Sequence, residues 1–145
     1  MPSLVLQGTL LAVLAGSGTI ALSVAGADEK PKQAKQRFFE MRTYVAAPGK
    51  LDALNARFRS HTNKLFVKHG MELIGYWTPT EGPSAQNTLV YILAYPDKES
   101  REKSWKAFLA DPEWHKARDA SEVNGKLVEK VESVFLQPTD YSPIR

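Results

Sequence analysis

The chain has 145 residues, room for one domain with a sizeable core, and its 43% apolar and 24% charged residues are those of an ordinary globular protein. A formal charge of +3 spread over interleaved acids and bases, as in Glu99, Arg101, Glu102 and Lys103, leaves no basic stripe, so nucleic acid is not an expected partner. The lack of cysteine excludes disulfides, thiolate nucleophiles, iron–sulfur clusters and a lipid-anchored export signal.

Residues 1–27 carry no charged side chain, and the run from Leu4 to Val24 is apolar or small. Ala25-Gly26-Ala27 then fits the small-x-small cleavage pattern, and Asp28-Glu29-Lys30-Pro31 follows at once. This predicts a signal peptide over 1–27 and export to the periplasm or the medium, with no membrane attachment after cleavage. A retained apolar anchor is the alternative. Residues 28–36, DEKPKQAKQ, are polar and aperiodic and read as a flexible linker to a domain over 37–142.

Phe38 to Val45 is rich in aromatic and β-branched residues and ends at Ala46-Ala47-Pro48-Gly49, a strand followed by a turn. Period-two alternation separates Phe39, Met41, Thr43 and Val45 from Phe38, Glu40, Arg42 and Tyr44. From Lys50 to His69 the period becomes helical: Leu51, Leu54, Phe58, His61 and Leu65 form one stripe, and Arg57, Arg59, Asn63 and Lys64 lie off it. Gly70 reads as the C-terminal cap. Met71 to Thr78 is the second strand, Thr80 to Gln86 an exposed loop, and Asn87 to Tyr95 a third, nearly all-apolar strand suited to the middle of a sheet. Asp97 to Ala110 predicts a helix with Trp105, Phe108 and Leu109 inward and Ser100, Arg101, Lys103 and Lys106 in solvent. Asp111-Pro112 starts another helical segment, N-capped by Asp111 and ending near Asn124-Gly125. Lys126 to Gln137 is the last strand, with Leu127, Val131 and Phe135 on one side and Val128, Val134 and Leu136 on the other.

The order β-α-β-β-α-β is the split ferredoxin-like pattern, an α+β fold with an antiparallel four-stranded sheet and helices on one face. The third and fourth strands put apolar residues on both faces, so a homodimer is expected to cover the open one. The runs FFEMRTYVAAPGKLDAL, LFVKHGMELIGYWTP, NTLVYILAYPDKESREKSWKAFLADPEW and KVESVFLQPTDYSP resemble the NIPSNAP family over roughly residues 38 to 141. The resemblance implies a dimeric α/β barrel built from two ferredoxin-like sheets and implies little chemistry.

Three groups of residues invite a functional reading. Glu40, Arg42 and Tyr44 share a strand face; they either line a polar cavity or form a structural ion pair with a rim tyrosine. His61, on the helical stripe, is either a general base or a core histidine bonded to a carbonyl or to Tyr44. Tyr76, Trp77, Tyr91 and Trp105, together with Trp114, suit either a flat apolar ligand or an ordinary core and dimer interface. His69 reads as a helix cap and His115 as a surface residue. Glycine spacing gives no phosphate loop, no serine sits in a nucleophile elbow, and the three histidines lack ligand spacing, so no cofactor and no metal are expected. Two functions are compatible with this pattern: an exported homodimer that binds a small ligand or partner, or a cofactor-independent, oxygenase-like or isomerase-like enzyme with His61 as base and Arg42 or Tyr44 steadying an oxyanion.

Overall fold

The computed structural model describes residues 36–145. The expected signal peptide, 1–27, and all of the expected linker except Gln36 lie outside the described residues. Gln36, the one residue of that stretch described, makes two side-chain hydrogen bonds. Its side-chain amide donates to the carbonyl of Pro138 at 2.8 Å and accepts from the Gln137 side chain at 3.0 Å, tying the start of the domain to the end of its last strand.

Strand β1 (Phe38–Ala46) leads through a turn at Gly49, whose φ of 70° suits glycine, into the first helical region. That region is not one regular α-helix. It comprises α1 (Leu51–Arg57), a π-helical turn (Phe58–Thr62) and α2 (Asn63–Lys68). The Asn63 N–H reaches back five residues to the Phe58 carbonyl, and the Thr62 hydroxyl donates to the Arg57 carbonyl at 3.4 Å. The wider turn inserts one residue, so the inward stripe runs Leu54, Phe58, Thr62, Leu65 and Phe66. His61, expected on that stripe, is turned out to solvent, while Arg57, expected off it, is 6% exposed.

Strand β2 (Glu72–Trp77) is followed by a short 3-10 turn (Pro83–Gln86) and β3 (Thr88–Tyr95). Helix α3 (Lys98–Ala110) is N-capped by Asp97, whose carboxylate accepts from the Ser100 N–H at 2.8 Å. Helix α4 (Pro112–Ser121) is capped in the same way by Asp111, as the Asp-Pro pair predicts. Trp105 and Phe108 are buried, but Leu109 is 54% exposed, because the inward face of α3 is narrower than its three apolar residues suggest. Strand β4 (Val128–Leu136) completes the sheet.

The sheet order is β2-β3-β1-β4, antiparallel throughout, with β3 and β1 in the centre. The sheet is open and does not close a barrel within one chain. Registers place Glu40 beside Leu93 and Phe135, Arg42 beside Tyr91 and Ser133, and Tyr44 beside Leu89 and Val131. These residues face the helices, and the core of Leu54, Phe58, Phe66, Tyr91, Leu93 and Phe108 lies between. The opposite face presents Met41, Val90, Ile92 and Val134, with Trp77 of β2 beside Val90. A register shift between Val45 and Ala46 moves Val128 onto the helix side, near Val131, rather than with Val134 and Leu136 as simple alternation predicts.

Candidate functional site

Strand alternation delivers Glu40 to the helix face, and its side chain is wholly buried. Six hydrogen bonds converge on its carboxylate. Oε1 accepts from Arg42 Nη1 at 2.7 Å, Arg101 Nη2 at 2.8 Å and Ser133 Oγ at 2.6 Å. Oε2 accepts from Arg101 Nε at 2.9 Å, Trp105 Nε1 at 2.9 Å and Tyr95 OH at 3.2 Å. A carboxylate offers about four lone-pair sites, so this one is saturated. Burial pushes its pKa up, but the bonds from Arg101, Ser133 and Arg42 outweigh burial and hold it at about 2. Glu40 is therefore a fixed anion that orients two arginines, and it has no lone pair left to accept a substrate proton.

Arg42 is the more open member of this cluster. Its guanidinium sits 4.2 Å from the Trp105 ring centroid and 5.6 Å from that of Tyr44. Burial works against its charge, yet Tyr44, Tyr91 and Glu40 raise its pKa above the ordinary value. One side of the fork serves Glu40; Nε is buried from solvent and makes no well-formed hydrogen bond, with the likewise unpartnered Tyr91 hydroxyl close to the guanidinium.

Arg42 lines a cleft of about 390 Å³ between the β1–β4 side of the sheet and the helices. Trp105, Phe108, Trp114 and Val131 supply apolar wall, and the π-helical turn contributes Phe58 and Thr62. The remaining charged lining is Arg57, Arg101, Arg118 and Glu122. Arg57 donates through Nη1 to Glu122 at 2.9 Å and to Ser121 Oγ at 3.2 Å, but its Nε is likewise buried and unpartnered. Arg118 is paired with its neighbour Asp119 at 2.9 Å. Four arginines set against Glu40, Glu122 and Asp119 leave this cluster net positive by one.

Of the residues singled out by sequence, Glu40, Arg42 and Tyr44 are brought together beside one cleft. His61 is not with them: it lies in a separate shallow groove against α4, with Ala117 and Ser121. The aromatic set is also divided. Trp105 lines the cleft; Tyr76 and Tyr91 stack within the core at 5.5 Å; Trp77 is 52% exposed on the other face of the sheet. Burial pushes the phenols of Tyr76 and Tyr91 up, so neither ionises near neutrality. His69 closes α2 with its ring 2.7 Å from the Asp111 carboxylate, and His115 is exposed. Sequence reasoning missed Arg57, Arg101, Ser133 and Glu122. Arg101 precedes Trp105 by one helical turn, and that spacing is the one signal that could have placed it inward. Among the described residues no three His, Asp or Glu side chains converge as metal ligands would.

An antiparallel sheet in the order β2-β3-β1-β4 with its helices packed on one face defines a ferredoxin-like α+β domain. The family model described as NIPSNAP matches residues 39–143, and the chain belongs to the NIPSNAP family. It is 32% identical over 112 residues to protein NipSnap homolog 3A of Pongo abelii and 30% identical over 111 residues to that of Homo sapiens. Each match takes in 77% of this chain but only 44% of the relative, so the chain spans less than half the length of these proteins. Among solved structures, a NIPSNAP family protein of unknown function from Agrobacterium tumefaciens superposes with a TM-score of 0.67 at 26% identity, covering 77% of this chain and 96% of that one. A NIPSNAP domain protein from Burkholderia xenovorans gives 0.62 at 29% identity, covering 73% and 98%.

Proposed function

We propose that this domain is a non-catalytic binding module that takes a small organic ligand in the cleft between the sheet and the helices. The observation that carries this reading is the cleft of about 390 Å³ walled by Trp105, Phe108 and Trp114, with the Arg42 guanidinium stacked 4.2 Å from the Trp105 ring at its edge. The enzymatic alternative needs a base in the cleft. His61 lies elsewhere, Glu40 is saturated, and Glu122 is engaged by Arg57.

Two further parts of the proposal rest on other observations. The open sheet face exposes Val134 at 47% and Trp77 at 52%, the kind of apolar surface that a second copy of the chain would cover. The uncharged stretch before Ala25-Gly26-Ala27 supports export.

The test is a thermal-shift screen of small organic molecules on the full-length protein, with Val131→Trp beside it. Val131 lines the cleft and is 45% exposed, so an indole there fills the site with little cost to the core. Compounds that raise the wild-type midpoint and leave Val131→Trp unmoved support the reading. Compounds that stabilise both proteins equally bind elsewhere and would overturn it.

A further inference from the structure

Resting on the reading that a second copy covers the open sheet face, we propose that residues 139–145 form a displaceable strap, which occupies an apolar trough on that face and competes with the second copy for it. Three observations converge on this role.

The first is the course of the chain after β4. Pro138 cannot continue the ladder, and its carbonyl accepts from Gln36 at 2.8 Å. Beyond it, Ser142 and Ile144 line a trough of about 330 Å³ together with Phe39, Ile74, Ile92 and Leu136. Strand pairing sets Phe39 opposite Leu136 and Ile92 opposite Met41, on the side of the sheet away from the helices. The strap therefore lies on the same face as Trp77 and Val134.

The second is the uneven exposure of that face. Phe39, in the trough, is 6% exposed, with the Arg37 guanidinium 5.1 Å from its ring centroid. Trp77 and Val134, which do not line the trough, are 52% and 47% exposed. Two sheets that pack face to face stand about 10 Å apart, a gap filled by their own side chains. A backbone segment laid over Phe39 takes up the space that a second sheet needs there.

The third is how weakly the strap is held. Ile144 is its large apolar side chain in the trough, and it stays 48% exposed, while Tyr141 is 82% exposed. Among the described residues, the hydrogen bond that joins the strap to the domain runs from Arg37 Nε to the Arg145 carbonyl. Its other bonds are internal. The Ser142 N–H donates to the Thr139 carbonyl at 3.1 Å, Ser142 Oγ to the Ile144 carbonyl at 2.7 Å, and Arg145 Nε to the Ser142 carbonyl at 2.9 Å. These survive release, so the strap comes away as a unit with little lost. Both copies must release a strap before their troughs can meet. A change that weakens the strap by some factor therefore tightens the dimer by up to the square of that factor.

The experiment is sedimentation velocity over a concentration series, which gives the dimer Kd of the full-length wild type, of Ile144→Ser, of Tyr141→Ser and of a chain lacking residues 139–145. Losing a half-buried isoleucine weakens the strap about fivefold. Ile144→Ser is expected to dimerise at least about fivefold and up to about 25-fold more tightly, and the shortened chain at least as tightly as Ile144→Ser. Tyr141→Ser, outside the trough, is expected to match wild type. Weaker association of both Ile144→Ser and the shortened chain would make the strap part of the contact between copies and overturn the competition. Equal tightening by Tyr141→Ser would show that the trough is not what matters, with the same consequence. An unchanged Kd in every variant would mean that the second copy docks clear of the trough, overturning this inference while the dimer stands. If neither wild type nor any variant associates, the reading of the open face as a contact between copies falls, and this inference falls with it.

Discussion

Two carboxylates organise this domain, and their surroundings differ. Glu40 is wholly buried on the central strand β1 and answers two arginines, a tryptophan, a tyrosine and a serine. Asp111 sits at the junction of α3 and α4. It caps α4 through the Glu113 N–H and binds Lys68 at 2.9 Å and His69 at 2.7 Å. Both are held well below the ordinary carboxylate range, Glu40 by donors that overcome its burial and Asp111 by Lys68, His69 and the backbone. Lys68, however, is half exposed, so water can replace what Asp111 loses, whereas nothing replaces Glu40 for Arg42. Similar pairing chemistry therefore carries different structural weight at the two places.

The largest effect is expected from Glu40→Gln. The amide keeps the shape but withdraws the charge and turns an N–H₂ toward groups that are themselves donors. Breaking a buried ion pair in this way costs about 3–5 kcal/mol, a large part of a typical domain's stability. Denaturant unfolding at neutral pH reads the difference, and a loss under about 1 kcal/mol would mean that the arginines find water instead. The pH dependence sharpens the test. The folded pKa of Glu40 is depressed from 4.5 to about 2, so its contribution is present above about 4.5 and is lost as pH falls through 2. Wild-type and Glu40→Gln stabilities should therefore converge across that window.

Asp111→Ala is expected to destabilise by clearly less than Glu40→Gln. It removes one helix cap and two contacts, and solvent takes over part of each. Raising the salt concentration should narrow the gap between wild type and Asp111→Ala, because Lys68 is accessible to counterions, and leave the Glu40→Gln gap nearly unchanged. The comparison breaks if both gaps respond to salt alike.

The fold was legible because its signals are local. Alternation in Phe38 to Val45 needs only a strand to put Glu40, Arg42 and Tyr44 on one face, and Asp111-Pro112 needs only the start of a helix to predict a cap. The candidate site was half legible for the same reason. Its strand half was visible, but Arg101 and Ser133 reach Glu40 from 61 and 93 residues away, and no local period encodes such pairings. Adjacency in sequence groups Trp77 with Tyr76, although neighbours on a strand face opposite ways; the Trp77 ring folds over Gly75 on the other side of the sheet. The loss of His61 has a different cause: it lies within the π-helical turn, whose extra residue puts Thr62 rather than His61 on the inward side.

That insertion sets the smallest expected effect. His69 and His61 lie on the same helical run, one beyond the π-helical turn and bound to a carboxylate, the other within the turn and exposed. A histidine filling a core position would leave a cavity on truncation and cost about 2 kcal/mol or more. An exposed one costs within about 0.5 kcal/mol. His61→Ala is therefore expected to unfold with nearly the wild-type midpoint and to bind cleft probes unchanged, since the residue on the cleft side of this turn is Thr62. A loss above about 1 kcal/mol, or weakened probe binding, would mean that the helix runs as a regular α-helix with His61 inward. The general base that the enzymatic reading lacks would then be restored.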